Sequence, residues 1–182
     1  MSDALKPFTT LMDFITGRPV PNIGAEENRQ AVERYLVEQK GYDRQDIEVE
    51  VPIEMKIAGE IYRSTVDLVV SVGHRRMMAF KCAAGSLGSC EREILAAARL
   101  LDRYQIPWAA ASDGRAAVVL ETISGRRIGE SLEAIPAKTA LEAQLMSLEF
   151  KGLPEERRLR EQLIFRTYDR ENVNRDRRFT ER

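Results

Sequence analysis

The sequence predicts an α/β domain: a mixed central sheet flanked by helices, with a helical extension at the C-terminal end. Three observations lead there. Residues 47–57 alternate almost strictly, with Ile47, Val49, Val51, Ile53, Met55 and Ile57 on one face and Glu48, Glu50, Glu54 and Lys56 on the other, the period of a half-buried strand. Residues 65–70, TVDLVV, are apolar on both sides of their one charge, as a central strand requires. A third strand then leads into a helical pattern before two more strands, and a meander followed by a crossover helix makes a mixed sheet.

The elements follow in order. Residues 1–24 hold three prolines and two glycines and read as an entry arm, with Phe8, Leu11, Phe14 and Ile15 packing on the domain and a turn at Gly17–Pro21. Residues 25–40 predict a helix: Ala31, Val32, Tyr35 and Leu36 form one face, acids fill the first turn, and Gly41 stands at the C-terminal cap position. Three strands come next, Ile47–Ile57, Ile61–Val72 and Arg76–Cys82, turned by Ala58–Gly59 and Gly73–His74. Ser89 is placed to cap the next helix, whose buried face is Ile94, Leu95, Ala98 and Leu101. Pro107–Ser112 and Arg115–Ile123 form a hairpin through Asp113–Gly114. Gly125–Pro136 reads as a loop with one helical turn, and Ala137–Phe150 as a helix. Pro154 starts a last helix with Leu159, Leu163 and Ile164 turned inward, followed by a frayed tail. The divisions are therefore an arm (1–24), a core (25–135) and a C-terminal helical extension (136–182).

Composition sets limits. The 182 residues are 43% hydrophobic and 31% charged with a net charge of −1, so no global basic field draws the chain to nucleic acid. No apolar run approaches twenty residues and the N-terminus lacks a signal-peptide layout, which predicts a cytoplasmic protein with no membrane partner. Two cysteines and one histidine are too few for a zinc site without carboxylates, and Cys82 and Cys90 read as reduced thiols flanking a turn. His74 sits in a turn with no nucleophile visible beside it.

The chemistry converges on Asp67 and Lys81. A carboxylate inside VDLVV carries a desolvation cost unless it is paired, hydrogen-bonded or metal-bound. Two carboxylates on adjacent strands can hold Mg²⁺ with water and a phosphate oxygen, and a lysine beside them can orient water or offset developing charge. The nuclease spacing is an Asp, then acid-x-Lys closing the next strand. Asp67 and Lys81 fit it, but Ala79 occupies the acid position. Asp67 and Lys81 as a partly buried ion pair is the structural alternative. Glu33, Glu50, Glu54, Glu91 and Glu93 are the acids in reach of that end of the sheet, and sequence does not rank them. GSLGS (85–89) before a helix lacks the Lys-Ser/Thr ending of a phosphate loop. The arginines of the C-terminal segment are interspersed with acids, which predicts a salt-bridged solvent face.

The runs EENRQAVERYLVEQKGYDRQDIEVEVPIEMKI, YRSTVDLVV and FKCAAGSLGSCEREILAAARLL, with the later SDG, resemble the N-terminal domain of type I restriction enzyme R subunits, in a small stand-alone form, over roughly residues 12–125. That family belongs to the PD-(D/E)xK nuclease superfamily. The resemblance implies a restriction-endonuclease-like fold, with Asp67 as a metal-binding and catalytic acid and Lys81 as the motif lysine. It implies Glu33 as a further acidic ligand, and nominates Glu91 or Glu93 where the motif acid has moved onto the following helix. Lys81 and Arg92 are the expected nucleic-acid contacts, and Mg²⁺ is the expected cofactor if the site is active. Three functions compete: a nucleic-acid-associated protein with a degenerate metal site, ranked first because of Ala79; an active Mg²⁺-dependent DNA endonuclease with a relocated acid (Glu91, Glu93 or Glu33); and a non-catalytic assembly module. The expected partners are DNA and, through the C-terminal helix, another protein or a second copy of the chain.

Overall fold

The computed structural model describes residues 9–169. The arm is a small hairpin of β1 (Thr10–Met12) and β2 (Pro19–Pro21), followed by α1 (Glu26–Glu38). Strands β3 (Ile47–Ile57), β4 (Glu60–Val72) and β5 (Arg75–Cys82) form the meander, and α2 (Glu91–Leu100) crosses to β6 (Trp108–Ser112). β7 (Ala117–Glu121), β8 (Arg127–Gly129), α3 (Lys138–Leu145) and α4 (Glu155–Tyr168) complete the chain. The six-stranded sheet has the order β3-β4-β5-β6-β7-β8, and it is mixed because only β5 and β6 run parallel. The α/β fold with a mixed sheet and a C-terminal helix is the one the sequence predicts.

Two apolar layers cover the sheet. Val32 and Leu36 of α1 and Leu141 of α3 pack with Leu68, Val70, Phe80 and Val119 on one face. Ile94 and Ala97 of α2 and Phe165 of α4 pack with Val69, Ala79, Ala109 and Leu120 on the other. Alternation of the strand residues between the layers follows from the two-residue strand period. Gly41 adopts φ +75 after α1, the left-handed position expected for a helix-ending glycine. No helix among the described residues is long and apolar enough to cross a membrane.

The β3–β4 ribbon turns over part-way along. Ile47 and Val49 belong to the α1 layer, whereas Val51, Ile53, Met55 and Ile57 belong to the α2 layer. Glu50, between them, has φ +51, and that left-handed residue rotates the strand about its axis. On β4 the same exchange separates Val66 from Leu68, so Asp67 stands at the crossing.

Several local expectations are corrected. Ser89 lies in a short 3₁₀ turn, Leu87–Ser89, and donates its hydroxyl to the Ser86 carbonyl instead of capping α2. The 125–136 loop contains the edge strand β8 as well as a helical turn. The helix expected over 137–150 ends at Leu145. Leu159 and Leu163 of α4 are exposed, and the buried residues are Glu161 and Phe165, because Glu161 pairs with Arg99 of α2. Phe8 and the tail beyond 169 lie outside the described residues.

Candidate functional site

The β4–β5 ladder ends at the pair Leu68–Phe80. Beyond it the strands part, and the Asp67 side chain takes over where a backbone carbonyl would have paired. Its Oδ2 accepts the Cys82 backbone N–H at 2.5 Å, and its Oδ1 lies 3.3 Å from the Lys81 ammonium. A carboxylate fixed by a backbone donor on one side and a cation on the other is held in a single orientation. On the far side of β4 the register with β3 runs from Val49–Leu68 to Val51–Val66, and the position between them, Glu50 opposite Asp67, forms no ladder pair.

Lys81 has a second partner. Glu93, in the first turn of α2, brings its Oε1 to 3.2 Å from the same ammonium. The side chains of Lys81, Asp67 and Glu93 are only 6%, 13% and 3% exposed. Burial drives the Glu93 carboxyl up to about 7. The nearby Lys81 works against that, and the charges of Asp169 and Asp67 add to it. The other oxygen of Glu93, Oε2, is buried and has no hydrogen-bond partner among the described residues, which is costly for a carboxylate. Asp169, at the end of α4, accepts the Tyr62 hydroxyl at 2.7 Å. α4 therefore brings a further acid close enough to be felt at Glu93.

Of the acids nominated from the sequence, the fold brings Glu93 to Asp67 and Lys81. Two positions apart on a helix is about 200° of rotation, so Glu91 and Glu93 cannot both face the sheet. Glu91 points outward and pairs with Arg127 of β8 at 2.5 Å. Arg92 stacks on Tyr168 and donates to its hydroxyl. Ala79, two residues from Lys81 on the same face, is wholly buried under α2.

Glu33 serves a different cluster. The Arg29 guanidinium reaches Glu33 at 2.9 Å, Asp13 of the arm at 2.8 Å and Glu26 at 2.7 Å. Gln30 donates to Asp13 and accepts from the Phe14 N–H. Sequence reasoning passed over Arg29, although its spacing from Glu26 and Glu33 (i−3 and i+4) is that of neighbours on one helix face. Glu33 is fully buried, and burial raises its carboxyl to about 7 despite Arg29. Asp13 is held below the usual range: burial opposes this and is outweighed by hydrogen bonds from Thr16 and by Arg29. The Cys82 thiol stands within electrostatic reach of Asp67, Lys81, Arg29 and Glu33, and burial pushes it well up.

A cleft of about 280 Å³ opens between the arm and the ribbon, lined by Val20, Ile23, Arg29, Glu50, Asp67 and Cys82 among others. Asp67 thus faces Lys81 and Glu93 inward and the cleft outward. Among the described residues no group of three or more His, Cys, Asp or Glu forms a closed metal cage. Asp67 and Glu93 each bring one carboxylate oxygen within 3.3 Å of the Lys81 ammonium, and carboxylates are the oxygen ligands a hard cation takes from protein.

Residues 24–136 match the family described as the type I restriction enzyme R protein N terminus. The chain belongs to that family. No curated protein and no solved structure matches it. Membership in the R protein N-terminal family indicates a nuclease-related or nucleic-acid-associated role. All of β3–β7, α1 and α2 lie within the matched span, whereas the arm hairpin and α4 lie outside it.

Proposed function

We propose that this R protein N-terminal family member is a Mg²⁺-dependent phosphodiesterase acting on DNA, with Asp67 and Glu93 as its carboxylate pair and Lys81 as its lysine. The observation that carries this reading is Glu93 on Lys81: the acid missing from position 79 comes from α2. It moves the relocated-acid reading ahead of the degenerate one. Asp67 and Glu93 would hold the cation, which would neutralise phosphate charge and polarise the phosphorus–oxygen bonds. Lys81 keeps the two carboxylates at a fixed separation. The Cys82 N–H sets the rotation of Asp67, and the Glu93 Oε2 offers a lone pair that no donor among the described residues satisfies. Glu93, titrating near 7, would hold a cation in its deprotonated form.

Association with nucleic acid without cleavage would call for a basic surface beside Asp67. Arg29, which lines the cleft beside Asp67, is ion-paired with Asp13, Glu26 and Glu33, which disfavours that reading. Assembly through α4 has one observation in its favour, the 56% and 47% exposure of Leu159 and Leu163, and sedimentation of the Leu159→Lys/Leu163→Lys protein tests it.

The direct test is calorimetric titration with Mg²⁺ and Mn²⁺, alongside plasmid nicking, on wild type, Asp67→Asn and Glu93→Gln. Binding and cleavage in wild type, lost in both variants, is the expected result. Wild-type binding unchanged in Glu93→Gln would remove Glu93 from the site, and no specific binding in wild type would restore the degenerate reading.

A further inference from the structure

The outward face of α4 carries a seam. Glu156, Leu159, Leu163 and Arg166 follow one another at spacings of three, four and three residues, the stripe along which one helix packs on another. All four are exposed, while Glu161 and Phe165 of the same helix are buried. An open groove of about 430 Å³ runs along this face, past Glu156, Leu159, Arg160 and Leu163. Two leucines one turn apart at its centre leave apolar area in water. Among the described residues neither Glu156 nor Arg166 forms an ion pair, and Arg166 lies over the Tyr62 ring.

The order acid, leucine, leucine, arginine reads the same backwards with its charges inverted. When a second α4 is laid antiparallel about a two-fold axis level with residue 161, each Leu159 meets the partner's Leu163 and each Glu156 meets the partner's Arg166. Both pairs share one midpoint, since 159 and 163 are centred on 161, and so are 156 and 166. A parallel alignment sets acid on acid and arginine on arginine, and like charges across an interface are costly. We infer that the outward face of α4 docks antiparallel on the same face of a second copy of this chain, with leucines at the centre and an acid–arginine pair at each end. Such an interface is isologous and closes at two copies. A single helix from each partner buries little area, so the dimer is weak, with a dissociation constant of roughly 10–100 µM. The same register brings Arg160 beside the partner's Arg160 near the axis, the one meeting of like charges along the stripe. The pairing deepens the assembly reading of α4 and is independent of the proposed cation-dependent function, because it needs no metal.

Sedimentation of the whole chain at low salt, from about 10 µM to about 1 mM, tests this. Wild type is expected to dimerise, and Leu159→Lys/Leu163→Lys to stay monomeric with an unchanged melting temperature. Glu156→Arg and Arg166→Glu are each expected to weaken the dimer about tenfold. An equimolar mixture of those two variants should recover the wild-type affinity, because each chain then offers the charge its partner needs. Arg160→Gln, which removes the meeting of like charges, should tighten the dimer. Wild type that is monomeric at about 1 mM would overturn the inference and leave the groove to another protein. A dimer that survives the leucine changes is built on a different surface, which also overturns it. So does a dimer that neither charge variant weakens, or that the mixture fails to restore, since its helices are not paired antiparallel.

Discussion

Lys81, next to the last residue of β5, lies 3.2 Å from Glu93 in the first turn of α2, so one ammonium joins the sheet to α2 while also holding Asp67. Lys81→Met leaves two buried carboxylates facing each other. Removing one member of a buried ionic set costs about 3–5 kcal/mol. The loss is expected in full above about pH 8 and to shrink near pH 5, where Glu93 takes up its proton. Added Mg²⁺ should restore part of it. Thermal unfolding under the three conditions checks this, and a uniform loss would mean that Lys81 acts through packing alone.

The two raised carboxyls set a pH dependence of their own. Glu33 and Glu93 titrate near 7 in the folded chain against 4.5 unfolded. A carboxyl raised on folding gives stability that is complete below 4.5 and is lost as pH rises through about 7. Each contributes on the order of 3 kcal/mol at most. Denaturant midpoints for Glu93→Gln should fall less steeply across that window than those of wild type. Mg²⁺ affinity in wild type should rise across the same window, with proton release visible when calorimetry is repeated in buffers of different ionisation enthalpy.

The C-terminal helix is anchored by charge. Arg99 donates to both oxygens of Glu161, and to the Thr122 carbonyl, inside the α2–α4 contact. Glu161→Ala strands a buried guanidinium and is expected to cost about 3–5 kcal/mol, whereas Arg99→Leu/Glu161→Leu recovers much of that. Urea unfolding of the single and double variants decides it.

Gly114 sits at φ +82 in the β6–β7 turn, and a Cβ there would fall 2.7 Å from the Ala31 Cβ and 3.3 Å from the Asn28 carbonyl of α1. Gly114→Ala is expected to cost about 1–3 kcal/mol from overpacking, in addition to backbone strain. Gly59→Ala, with φ +90 and open space around it, incurs strain alone. Comparing the two melting temperatures separates the contributions.

Strand periodicity made the sheet legible, and a single charge in an apolar run made Asp67 legible, because both are local signals. Which first-turn acid joins Asp67 was not local: Glu91 and Glu93 are equivalent until the crossing of α2 over β5 turns one inward. α4 defeated hydrophobic periodicity because its buried face is built on Glu161 and Phe165, and a buried ion pair reads as surface in a one-dimensional pattern. β8 offered three residues, Arg-Ile-Gly, at the edge of the sheet, too short to show any period. The surroundings of Glu33 were not legible, because its burial depends on Arg29 and on Asp13 from the arm, twenty residues away in sequence.

The turnover of the β3–β4 ribbon at Glu50 and Asp67 has a mechanical consequence. The two halves of the ribbon are clamped into different apolar layers, so any relative rotation of those layers is taken up as torsion along the ribbon, with its axis through the crossing. The Asp67 carboxylate, pinned by the Cys82 N–H, sits on that axis, between a half of the ribbon held by the α1 layer and a half held by the α2 layer.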